Sequence, residues 1–311
     1  MTITLHPRGP FSLTAAATFV ERFPGTQAER PPQALRYAWA VDGDWRTVQA
    51  TLRQDDHAVH AELAGRPAAQ LARWAARDLE QMLCLDVDGS GFTALGEHDR
   101  VVRALQERFF GLRPVLFYTP YEAAAWTIIS QRIRMTQAAT IKTRLGDELG
   151  EHGAFPAPAR LAQLSEPQQG LTSRKINQLR TIAVAAQDSA LSRQRLRAMT
   201  YQDGLAYLQQ FPGIGPFSAE LILIRGVGHP DALPDHDTRL NQAIRWAYNT
   251  ADDAAIQTIT DSWRPYRAWV ALLLRAWREA ETNEITHGRR STTRLSPPTR
   301  PGQNAPQASE A

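Results

Sequence analysis

The chain has 311 residues, 43% of them hydrophobic and 22% charged, enough for two modest domains with mixed cores. No run approaches the roughly 18 uncharged apolar residues of a membrane span, and MTITLHPRGPF lacks a secretory pattern, so a cytoplasmic location is expected. The one cysteine, Cys84, excludes an internal disulfide, a four-thiolate iron–sulfur cluster and zinc sites built on CxxC pairs, and reads as a buried thiol. Net charge is +3, divided as −2 over residues 1–110, +3 over 111–282 and +2 over 283–311. So small a balance does not by itself imply a nucleic-acid partner. Only two of the 35 basic residues are lysines, Lys142 and Lys175.

In chain order, residues 13–23 have helical apolar spacing and stop before Pro24-Gly25. Strand-like runs follow at 35–41, 47–52 and 58–63, separated by the polar turns Asp42-Gly43-Asp44 and Gln54-Asp55-Asp56, which predicts an antiparallel meander. Residues 68–82 resume the helical period with Leu71, Trp74, Leu79 and Met82. Beyond about residue 97 the strand signal ends. Helices are predicted at 99–110, as one long helix over 120–149 opened by Pro120, and near 158–164, 173–188, 191–198, 202–209, 217–226, 238–248, 252–261 and 265–281. The expected class is α+β. Residues 1–111 form a small antiparallel sheet with flanking helices, 112–285 an all-helical domain, and 286–311 a disordered basic tail too poor in apolar side chains to offset its ordering entropy.

The most informative run is 208–226, LQQFPGIGPFSAELILIRG. Two helices meet at the tight turn Phe211-Pro212-Gly213-Ile214-Gly215, where glycines permit positive φ and let backbone amides converge. Ile214 should point inward and pin the turn, while a helix starting near Phe217 adds its dipole to the same focus. Such a surface grips a phosphate without a basic side chain, which answers the weak net charge. An ordinary joint between two amphipathic helices is the competing reading. Asp237 lies 22 residues beyond Gly215, in Leu233-Pro234-Asp235-His236-Asp237-Thr238-Arg239, directly before an amphipathic helix. An aspartate there is an N-cap first of all; after a hairpin it is also a carboxylate aimed at the same strand.

These motifs resemble the helix-hairpin-helix/Gly-Pro-Asp superfamily of base-excision DNA glycosylases, and within it the DNA-3-methyladenine glycosylase II family. The likeness covers about residues 112–280. It includes Pro120-Tyr121-Glu122 with Ile128-Ile129-Ser130-Gln131, Gly170-Leu171-Thr172 to Lys175, and Trp263-Arg264-Pro265-Tyr266-Arg267. The resemblance implies a cytoplasmic, nucleoid-associated monomer that acts on duplex DNA containing a damaged base, with no membrane partner. It implies flipping and hydrolytic removal of an alkylated purine of the 3-methyladenine type. Asp237 would stabilise the oxocarbenium-like transition state, with Asp235 the neighbouring candidate. The alternatives are a glycosylase for another damaged base, or a non-catalytic helix-hairpin-helix DNA-binding protein.

Relatives with a lyase step carry a lysine at the second position after the last hairpin glycine; here that residue is Phe217, so a monofunctional enzyme is expected. Phe217 could stack on the flipped base or pack as core. Gly213, Ile214, Gly215, Phe217 and Ser218 would hold the DNA backbone. Trp126 and Tyr121 are candidate pocket aromatics, equally readable as core. Arg275 falls where the family often has a pocket tryptophan. Arg132 falls where a wedge residue fills the gap left by the base, surface salt bridging being its other reading. No cofactor is required, although the hairpin could hold a monovalent cation through the main-chain carbonyls of Gln209, Phe211 and Ile214.

Overall fold

The computed structural model describes residues 1–22, 34–165 and 170–282. The tail from 283, and with it the expected disorder, lies outside the described residues, as does Phe23 at the end of the first predicted helix. A four-stranded antiparallel sheet, ordered β1-β4-β3-β2, is built from β1 (Thr2–Leu5), β2 (Leu35–Ala40), β3 (Thr47–Gln54) and β4 (Val59–Leu63). The predicted meander is present, with Leu35 opposite Leu52 and Leu52 opposite Ala61. Alternate residues of β3 and β4 are buried, the period-2 signature of a half-covered sheet. The short β1 was not predicted; it adds to β4.

Helices α1 (Leu13–Arg22), α2 (Ala69–Met82), α3 (Phe92–His98) and α4 (Arg100–Arg108) accompany the sheet, α3 being a second element absent from the prediction. Their core is shared with the C-terminal α12 (Thr238–Ala247) and α14 (Arg267–Thr282), where Trp246 stacks on Trp277 at 4.5 Å. A second core surrounds α5 (Pro120–Ile129), all ten of whose residues are buried. It is enclosed by α6 (Met135–Leu149), α7 (Pro158–Leu161), α8 (Ser173–Gln187), α9 (Arg193–Arg197), α10 (Tyr201–Leu208) and α11 (Pro216–Leu221). Helix α13 (Asp253–Ser262) precedes the turn into α14.

Two helical expectations are corrected. The predicted helix over 120–149 is two helices, broken at residues 130–134. Arg132 adopts a left-handed φ of 58°, and the Lys175 ammonium donates to the carbonyls of Ile129 (2.7 Å) and Gln131 (2.9 Å), satisfying groups that a continuous helix would have used. The predicted helix over 217–226 begins at Pro216 and passes at Ile222 into a π-helical turn, Ile222–Val227. Gly226 within that turn approaches α5 so closely that a Cβ would sit 2.8 Å from Ala123 Cβ and 3.0 Å from Pro120 Cα.

Arg193 joins the parts. Its buried guanidinium donates to the carbonyls of Phe117, Tyr118 and Gly226 and to the Gln81 side chain, while its amide donates to Asp42. Cys84 is buried as expected, and burial pushes its thiol up to about 12, leaving it unreactive.

Candidate functional site

The hairpin forms as the sequence predicts, with one refinement. Gly213 has φ 91°, and a Cβ there would meet the Gln178 side chain at 2.7 Å. Gly215 is extended, at φ −92° and ψ −178°, and a Cβ there would meet nothing within 4 Å. The first glycine is therefore demanded by backbone conformation. The second leaves a surface from which something else can approach the main chain. Ile214 is buried in the second core and pins the turn, and its amide closes it by donating to the Phe211 carbonyl at 3.0 Å. The Gln131 side chain donates to the Gly213 carbonyl at 2.7 Å, coupling the turn after α5 to the hairpin.

Pro216 opens α11, so the amides of Phe217 and Ser218 belong to a first turn that has no intrahelical acceptors to offer them. Ser218 is buried. Phe217 is 52% exposed. It stands on the wall of a cavity of about 270 Å³ between the two cores, whose lining includes Phe117, Trp126, Ser130, Phe217, Glu220, Arg225, Asp237 and Arg275. Trp126 contributes an apolar surface from within the core, tilted against Phe117 at 6.2 Å. Tyr121, offered by the sequence as a pocket aromatic, is not part of this lining. Its ring packs on Trp45 and Phe155 and its hydroxyl donates to the Pro156 carbonyl at 3.1 Å. It sits on the face of α5 turned into the core.

Asp237 caps a helix and also reaches the cavity wall. Oδ1 accepts the amides of Arg239 (3.0 Å) and Leu240 (3.1 Å), capping α12. Oδ2 lies 3.3 Å from Arg275 Nε, and both side chains are about one-fifth exposed on the cavity wall. Arg275 thus reaches the cavity, as an ion-pair partner of Asp237. Asp235 is exposed and is not part of the lining. Arg132 is exposed at the tip of the α5–α6 turn.

Glu220 escaped sequence reading. It is buried, and through Oε1 it accepts the Asp235 amide (3.1 Å) and binds His236 Nδ1 (2.7 Å), while Oε2 accepts the His236 amide (3.2 Å). That hydrogen bond, with the carboxylate charge, raises the His236 pKa above the usual histidine range. A glutamate following Ser218-Ala219 looks in sequence like any polar helix residue, and its partners arrive 15 and 16 residues later. Arg225, from the π turn, lies between the Phe19 and Phe117 rings and donates to the Val115 carbonyl; burial lowers its pKa to about 10. Neither lysine lines the cavity. Lys142 is buried against Glu122 at 2.6 Å, and Lys175 is bound to the α5 terminus.

No family model matches the chain. It is 26% identical over 210 residues to the DNA-3-methyladenine glycosylase of Bacillus subtilis, covering 62% of this chain and 68% of that protein. With DNA-3-methyladenine glycosylase 2 of Escherichia coli it shares 27% over 183 residues, 54% of this chain and 60% of the relative. The match therefore spans less than two thirds of the second relative. In fold it resembles the 3-methyladenine DNA-glycosylase of Archaeoglobus fulgidus, with a TM-score of 0.71 at 21% identity over 89% of this chain and 98% of that one.

Proposed function

We propose, for a chain that groups by sequence and fold with the helix-hairpin-helix DNA glycosylases and resembles their 3-methyladenine-excising members, that it is a monofunctional glycosylase removing alkylated purines from duplex DNA. The observation that carries this reading is the position of Asp237. One oxygen is fixed by the α12 cap and the other pairs with Arg275, on the wall of a cavity that also holds an exposed aromatic ring from the hairpin helix. In this reading the main-chain amides at Gly215, Phe217 and Ser218 hold a phosphate, Arg132 enters the gap in the stack, and the damaged base turns into the cavity against Phe217 and Trp126. As the C1′–N bond breaks, the bonding pair leaves with the base and positive charge grows on the sugar. The Asp237 carboxylate stabilises that charge while water adds at C1′ and passes its surplus proton to solvent. Arg275 holds the carboxylate in place.

In the same reading the main-chain oxygens of Gln209, Phe211 and Ile214 would hold a monovalent cation at the hairpin. The Phe211 oxygen spends one lone pair on the Ile214 amide and keeps the other. Such an ion would supply only charge toward the phosphate. The protein would act as a monomer.

A panel of duplexes, each with one lesion, scored for alkali-sensitive sites, tests the activity. Excision of an alkylated purine is expected, and silence across the panel would leave only a binding role. Borohydride added during turnover should trap no covalent adduct, because Phe217 occupies the lysine position and both lysines are engaged elsewhere. A trapped adduct would contradict the monofunctional reading. Gly215→Ala isolates the phosphate contact. The new methyl group meets no protein atom within 4 Å, so folding is spared. Affinity for duplexes of any sequence should fall about tenfold, with a shallower salt dependence. Unchanged affinity would place the phosphate elsewhere.

A further inference from the structure

We propose that Glu220 is a positioning residue that sets where the Asp237 carboxylate stands relative to the hairpin. The inference rests on Asp237 being the catalytic acid. A buried carboxylate is costly unless hydrogen-bonded, and it offers about four lone-pair positions. The short loop before α12 fills three of them, with the amides of Asp235 and His236 and the His236 ring nitrogen. The charge is compensated by that loop, so the loop is drawn to one position. Glu220 stands three residues after Phe217 on the helix that follows the hairpin, and Asp237 is the next residue after the tethered His236. The link is therefore three residues long at one end and one at the other. It joins the amides that would hold a phosphate to the acid that would face the adjoining sugar. A plain structural buttress would give a different result: its removal would weaken stability, DNA affinity and rate together.

Single-turnover excision by the full chain, with enzyme saturating, separates the two when compared with affinity for a duplex carrying a tetrahydrofuran abasic analogue. In Glu220→Ala the rate should fall at least tenfold while affinity for the analogue stays within about threefold. Glu220→Gln, which retains one acceptor oxygen, should recover part of the rate. A folded Glu220→Ala with its rate within twofold of the parent would overturn the proposal, and so would a rate loss matched by an equal loss of affinity. If Glu220→Ala does not fold, His236→Ala serves instead. It removes only the ring contact from a half-exposed side chain, and should slow excision by a smaller factor at unchanged affinity; an unaltered rate there would overturn the proposal. Asp237→Asn, run alongside, reports on the underlying reading. Excision retained in that variant would remove the catalytic role of Asp237 on which this inference rests, whereas excision lost there but intact in the Glu220 variants would remove only the positioning role.

Discussion

Asp237→Asn should abolish excision while leaving the lesion duplex bound as tightly as before, or more tightly. Asparagine is among the best N-caps, so the Oδ1 contacts to Arg239 and Leu240 survive and α12 keeps its start. What disappears is the negative charge of the carboxylate on the cavity wall beside Arg275. Losing one preorganised electrostatic partner of a transition state costs on the order of a hundred- to a thousandfold in rate. Removing one negative charge from the cavity wall also lessens repulsion of the polyanionic ligand, which favours binding. Single-turnover rates on an alkylated duplex together with an equilibrium binding titration check both halves. A residual rate within tenfold of the parent would remove Asp237 from the chemistry.

Arg193→Met should be the most destabilising single change among those considered, lowering the unfolding free energy by about 3–5 kcal/mol, the range for breaking a buried charged network by removing one member. The side chain is 1% exposed, and methionine replaces its bulk without its donors. Four acceptors lose their partner: the carbonyls of Phe117, Tyr118 and Gly226 and the Gln81 side chain. The deficit should also depend on pH. Burial raises Asp78 to about 6, and the charge of Arg193 opposes that rise. An acid whose folded pKa lies above its unfolded value favours the folded state at low pH and loses that contribution as pH climbs through the folded value. Without Arg193 the value moves higher, so the variant should fall further behind the parent at pH 8 than at pH 5. Urea unfolding at the two pH values measures this; a loss below 1 kcal/mol at both would show that the network is dispensable.

What the sequence made legible was local. Strands β2 to β4 announced themselves by alternation between polar turns, and the hairpin by glycines whose spacing fits a tight joint. Asp237 was readable because an N-cap aspartate at that distance from such a joint is unusual. The missed features depend on partners far along the chain. Nothing in residues 130–134 is a helix breaker by type, since they include neither glycine nor proline. The break follows from Lys175, which reaches the α5 terminus from 44 and 46 residues away. Strand β1 has four residues and gains its identity only by pairing with β4. Tyr121 and Trp126 share one helix, and only packing shows that Trp126 borders the cavity while Tyr121 hydrogen-bonds into the core. Arg275 lines the cavity, and its pairing with Asp237 joins the start of α12 to the middle of α14, which sequence spacing does not relate. Glu220 is the extreme case, a side chain whose whole meaning lies in a loop that returns to it.

The left-handed backbone at Arg132 sets thermal hardiness against the grip proposed for that side chain, at a single codon. A side chain held at φ 58° costs roughly 1 kcal/mol that glycine would not incur. A screen for heat resistance would therefore drift toward glycine at this position and discard the guanidinium at the tip of the turn. With Arg132 in the role proposed above, variants chosen for endurance alone would hold the duplex less firmly.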